Sequence, residues 1–117
     1  MLLRESGNAI GTSYELKGVT DKAVNTGVEN EDVLLDFADA IWGTESTVLD
    51  SARDALDQRM GEKAVVEASV TAANFGMVDR IANAIGISLD ETAWTASADF
   101  RTTLGLEGFP SARNSLS

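Results

Sequence analysis

The chain is predicted to be all-α, and three observations carry that expectation. Apolar residues recur at helical spacing through residues 61–86. Two shorter amphipathic stretches precede that run, joined by a polar turn. No stretch alternates apolar and polar residues as a half-buried strand would. The expected architecture is an antiparallel helix hairpin packed on one long central helix.

The opening stretch, residues 1–17, starts without a capping residue. Leu2, Leu3, Ile10, Tyr14 and Leu16 supply its apolar positions, and Gly7 and Gly11 weaken it. A helix ended by Gly18 is predicted. Thr20 is then placed to cap a short helix through Asp21, Lys22, Ala23 and Val24, stopped by Gly27.

Asn30 precedes EDVLLDFADAIW, whose Glu31 and Asp32 suit the positive end of a helix dipole. Leu34, Phe37, Ala38 and Ile41 form its expected inner face. After Gly43, Thr44 or Ser46 is expected to cap TVLDSARDALDQRM, with Leu49, Ala52, Leu56 and Met60 inward.

The central helix carries one apolar row at Val66, Val70, Ala73, Met77, Ile81 and Ala84, and a second through Val65, Ala68, Ala72, Phe75, Val78, Ala82 and Ile85. Together they predict burial on most sides, against neighbouring helices or a second subunit. A third row, Ala64, Ala68, Ala72 and Gly76, has small residues that permit close helix packing. Roughly 24 residues at about 1.5 Å rise give a rod of about 36 Å.

Beyond Gly86, Ser88 and Glu91 have capping-box spacing. Leu89, Ala93, Ala96, Phe100 and Leu104 then predict a further helix. Residues 105–117 read as a tail. The division expected is a helical domain over 1–91 and a C-terminal helix and tail over 92–117, the latter disordered or wrapped on an interface.

Composition excludes more than it suggests. The net charge of −10 and the lack of a basic cluster argue against nucleic acid and anionic membranes as partners. No run is long and apolar enough to span a bilayer, and no signal peptide is recognised, so a cytoplasmic protein is expected. The chain has no cysteine and no histidine. That removes disulfides, thiolate nucleophiles, dithiol redox chemistry, the usual neutral-pH base and the commonest metal ligands. No catalytic residue, cofactor or metal site is assigned. Asp32, Asp36 and Asp39 share helical spacing, as any solvated acidic face does.

The candidate pocket residues are Glu67, Asn74, Arg80 and Asn83. Arg80 could hold a carboxylate or phosphate that the asparagines orient, or simply pair with one of the chain's nineteen carboxylates. Glu67, set among apolar residues, would become an acid or base if buried. Trp42 and Trp94 read as core or interface anchors.

Several segments keep a familiar order. Gly18-Val19-Thr20-Asp21-Lys22-Ala23-Val24 is followed by Glu31-Asp32-Val33-Leu34-Leu35-Asp36-Phe37-Ala38-Asp39-Ala40. Then come Val65-Val66-Glu67, Ala73-Asn74-Phe75 and Val78-Asp79-Arg80-Ile81-Ala82-Asn83-Ala84-Ile85-Gly86-Ile87. This order resembles the carboxymuconolactone decarboxylase/alkylhydroperoxidase D-like (AhpD-like) superfamily over about residues 18–91. The motifs are individually degenerate, and their order and spacing carry the likeness.

The resemblance implies an AhpD-like helical bundle assembled into trimers or hexamers. It also implies a Cys-x-x-Cys pair and a histidine near Arg4, Gly7 and Gly11, where this chain has none. The decarboxylase branch relies on histidine too. The resemblance therefore points to a degenerate, non-catalytic homo-oligomer that binds a small molecule or a partner protein. One rival is an enzyme of the same superfamily using Glu67 and Arg80. Another is a truncated product whose chemistry lies upstream on another chain.

Overall fold

A computed structural model of the chain describes residues 2–115. Six α-helices follow in order: α1 Leu2–Ile10, α2 Glu31–Trp42, α3 Ser46–Met60, α4 Glu62–Ile85, α5 Glu91–Ala96 and α6 Ala98–Thr103. Short 3-10 turns lie at Leu16–Val19, Leu106–Gly108 and Pro110–Ser115. Among the described residues there is no strand, so the fold is all-α. The chain separates into two compact units, one of residues 28–79 and one combining the residues up to Gly27 with those from Arg80 onward.

In the unit of residues 28–79, α2 and α3 form the antiparallel hairpin. The Gly43 N–H returns to the Ala40 carbonyl at 3.1 Å, ending α2. Arg59, in the last turn of α3, meets Asp32, in the first turn of α2, at 3.6 Å. That pair records the antiparallel direction but adds little stability, since both side chains are more than half exposed.

The core is Val33, Phe37 and Leu56, with Leu34, Ile41, Leu49, Ala52, Val65 and Ala68 packed around it. Phe37, Leu56, Leu49 and Ala52 turn inward as their spacing predicts. On α2, however, the buried flank is Val33, Phe37 and Ala40, while Ala38 is only half-buried. Met60 also remains exposed, because the hairpin ends there.

The start of α4 lies on this hairpin through its row of small residues. Ala64, Ala68, Ala72 and Gly76 are all half-buried, and the residues between them mostly face solvent. At Gly76 the approach is closest: an added Cβ would lie 2.2 Å from Trp42 Cη2. Neighbouring helices of the same chain do not bury α4 on most sides: not one of its residues is buried within the single chain. The small-residue row, with Val65 beside it, meets the hairpin.

Gly76→Ala is therefore expected to push the Trp42 ring outward. The loss of half an indole's burial, about 2 kcal/mol, should exceed the gain of about 1 kcal/mol from alanine in a helix. In a Trp94→Phe background, where Trp42 is the sole indole, its emission should shift to the red. An unshifted spectrum with raised stability would place Trp42 elsewhere.

Helix boundaries in the other unit differ from the sequence reading. α1 stops at Ile10, not Gly18, because Gly11 takes φ 74°. Thr12 N–H reaches Gly7 O at 2.8 Å and Gly11 N–H reaches Asn8 O at 3.4 Å, a Schellman closure. The side chains of Leu2, Leu3 and Arg4 lie outside the described residues. Gly86 closes α4 the same way, with φ 69° and Ile87 N–H on Ala82 O at 3.0 Å.

No helix forms at residues 21–24. There Asp21 Oδ1 accepts from the Ala23 N–H at 3.1 Å, and the Thr20 hydroxyl donates to Lys17 O at 3.2 Å, so local side-chain bonds replace a helical turn. The segment folds back as a loop, with Glu15 N–H on Thr26 O at 3.0 Å and Thr26 buried.

Caps differ as well. Asn30 sits before α2 as expected but in the left-handed region, without a side-chain cap bond. Glu45 precedes α3, so neither Thr44 nor Ser46 is its cap residue.

Candidate functional site

The sequence-predicted pocket residues do not converge. Glu67, Asn74, Arg80 and Asn83 are all exposed positions on α4. Glu67 pairs with Lys63 one turn earlier at 3.4 Å, and its side chain is two-thirds exposed, so the burial needed for an acid–base role is not present. Arg80 and Asn83 do come together, on the wall of an open depression shared with Ala84, Pro110, Ser111 and Arg113. Asn74 and Glu67 are not part of it. Asp32, from the acidic row on α2, is engaged with Arg59.

A better-formed cavity occurs in the C-terminal segment, in a place the sequence reading did not single out. Asp90, not Ser88, caps α5: its Oδ1 accepts from the Ala93 N–H at 2.8 Å. The predicted single helix through Leu104 is interrupted at Ser97, giving α5 and α6. Hydrogen bonds nevertheless run on, from Ser97 N–H to Ala93 O at 3.1 Å and from Arg101 N–H to Ser97 O at 3.0 Å. Trp94, Ser97 and Arg101 therefore fall on one face, three and then four residues apart.

That face builds the site. The Arg101 guanidinium lies 3.6 Å from the centre of the Trp94 ring, a cation–π contact strengthened by exclusion of water. Its Nη1 donates to Trp94 O at 2.5 Å and to Ser97 Oγ. Ser97 Oγ in turn donates to Trp94 O at 3.3 Å. Arg101 is only 8% exposed.

After Gly105 turns the chain, Glu107 comes back toward Arg101, but its Oε1 stops 3.8 Å from Nε. That separation is too long for a hydrogen bond. Nε is buried without a hydrogen-bond partner, which is costly for a charged donor.

Arg101, Glu107 and Ser97 line a cavity of about 440 Å³ whose remaining wall is largely apolar, including Leu89, Trp94, Phe100, Leu106 and Phe109. Its size and its few polar groups are those of a small-molecule site. The Ser97 hydroxyl is already engaged by Arg101 and Trp94 O. The one signal in the sequence was the Trp94-x-x-Ser97-x-x-x-Arg101 spacing. It was obscured because serine and threonine made the segment look like a weak helix.

With this geometry the protein is an all-α chain carrying an apolar, arginine-bearing cavity. Among the described residues, no helix is long and apolar enough to cross a membrane, and no group of three or more acidic side chains could hold a metal ion. No protein family, curated protein or solved structure matches the chain.

Proposed function

We propose that this chain is a degenerate, non-catalytic relative of the carboxymuconolactone decarboxylase/alkylhydroperoxidase D-like superfamily. In this reading it is a cytoplasmic homo-oligomer of AhpD-like helical bundles that binds a small molecule. The observation that carries it is the outward face of α4. Val66, Val70, Met77, Val78, Ile81 and Ile85 are all exposed, Val70 at 64%. At about 100° per residue they fall within an arc of about 120°, an apolar stripe that also holds Glu67 and Asn74.

Four of the six residues are placed symmetrically along the stripe. Val66 and Ile81 are equidistant from the point between Ala73 and Asn74, as are Val70 and Met77. Two copies of α4 packed antiparallel about a twofold axis would set Val66 of one copy opposite Ile81 of the other, and Val70 opposite Met77. An isologous contact requires this self-complementarity. Of the trimers or hexamers that the resemblance implies, a hexamer can contain such a contact. The exposure of Glu67 and the absence of histidine and cysteine favour binding over catalysis.

Native mass spectrometry at neutral pH tests the reading. An assembly with an even number of chains is expected, and Val70→Asp with Met77→Asp should reduce it to single chains while leaving helix content intact. A wild-type protein that is monomeric at micromolar concentration would overturn it.

A further inference from the structure

We infer that the cavity beside Arg101 binds a hydrophobic monocarboxylate, a medium-length alkyl or aryl chain ending in one carboxylate. The inference deepens the small-molecule half of the proposed function and rests on it. Arg101 and the whole lining except Leu89 lie outside residues 18–91, so the inference does not draw on the family resemblance.

A buried guanidinium needs an anion at hydrogen-bonding distance. Here Nη1 is satisfied by Trp94 O and Ser97 Oγ, whereas Nε has only the Glu107 carboxylate, 3.8 Å away. Glu107 is more than half exposed and sits on a short 3-10 turn after Gly105, so it can be displaced at little cost. It stands where a ligand carboxylate would go, and a free carboxylate can approach closer than a tethered one.

Arginine presents adjacent N–H groups in a fixed plane that matches a carboxylate, and stacking on Trp94 fixes that plane. Apart from Ser97 and Ser111, the rest of the wall is largely apolar. Leu89, Phe100, Leu106 and Phe109 offer the ligand's body nothing to hydrogen-bond, which selects against sugars, nucleotides and polyanions. One buried cation matches one negative charge. The net charge of −10 does not forbid this, because repulsion from distant carboxylates is screened beyond about 8 Å at physiological salt.

The test is calorimetric titration of the full chain with octanoate, with octan-1-ol as the uncharged control. Saturable binding of one octanoate per chain is expected, at least tenfold tighter than octan-1-ol. Arg101→Gln should remove that preference, and Arg80→Gln should not change it. If Arg101→Gln fails to fold, Glu107→Gln decides the matter, since removing the resident carboxylate should tighten octanoate binding several-fold.

Equal affinity for octan-1-ol, or octanoate affinity unchanged or weakened in Glu107→Gln, would overturn the inference. Native mass spectrometry separates the two readings. An oligomer that ignores octanoate sinks the ligand class alone, and a monomer that binds it sinks the self-association alone.

Discussion

Leu56→Ala should destabilise the unit of residues 28–79 by about 3 kcal/mol, within the range seen for leucine truncations in packed cores. Among the described residues Leu56 is the one side chain with no exposed surface, and it joins α3 to Val33 and Phe37 of α2. Val65 and Ala68 of α4 lie against the same cluster, so the cavity left behind would touch all three helices. So few residues make this core that no neighbour can take over its role.

Hydrogen exchange read by mass spectrometry on peptides from 28–79 should show the loss directly. Protection in those peptides should fall by more than a hundredfold, the equivalent of about 3 kcal/mol. A change under about 1 kcal/mol would mean that the hairpin is held by something other than this cluster.

Gly18→Ala should have the second large effect, in the other unit. An added Cβ would lie 2.5 Å from Val24 O, 2.6 Å from Thr26 Cγ2 and 3.0 Å from Thr26 N. Two of those atoms are backbone, so the clash cannot be relieved by rotating a side chain. Thr26 is buried and its carbonyl holds the Glu15 N–H, so displacing it undoes the closure of the loop. We expect about 2–3 kcal/mol, as for overpacked sites.

Exchange should rise in peptides covering 12–27 and remain as in the wild type within 28–79. If both units lost protection together, they would be one cooperative body. In contrast with Gly76, where the obstructing atoms belong to a half-exposed indole, Gly18 faces a wall that cannot move.

The helix pattern explains which parts of this structure were legible. Period, length and glycine punctuation located α2, α3 and α4 closely, because long amphipathic segments bounded by Gly43, Gly61 and Gly86 have few alternative conformations. The row Ala64, Ala68, Ala72 and Gly76 identified the side of α4 that the hairpin approaches. Short segments were less legible. Residues 21–24 and the cap at Asp90 depend on single hydrogen bonds worth about 1 kcal/mol, and competing local bonds decide them; Asn30 and Glu45 precede their helices with no side-chain cap bond for the sequence to signal.

The candidate site shows the same division. Arg80 looked more promising than Arg101 because it stands among asparagines on the strongest helix, yet it is exposed. Arg101 lies in a Thr/Ser-rich stretch, and its burial depends on Gly105 bringing Glu107 and the following turns back over α6. Residue type and spacing determined the helical class, the hairpin, the small-residue face of α4 and the absence of cysteine and histidine chemistry. Tertiary structure alone decided that the row of α4 from Val66 through Val70, Ala73, Met77 and Ile81 to Ala84 stays uncovered within one chain, and that the buried cation is Arg101. Both depend on where distant segments fold back, and burial is a property of those neighbours, which no local period records.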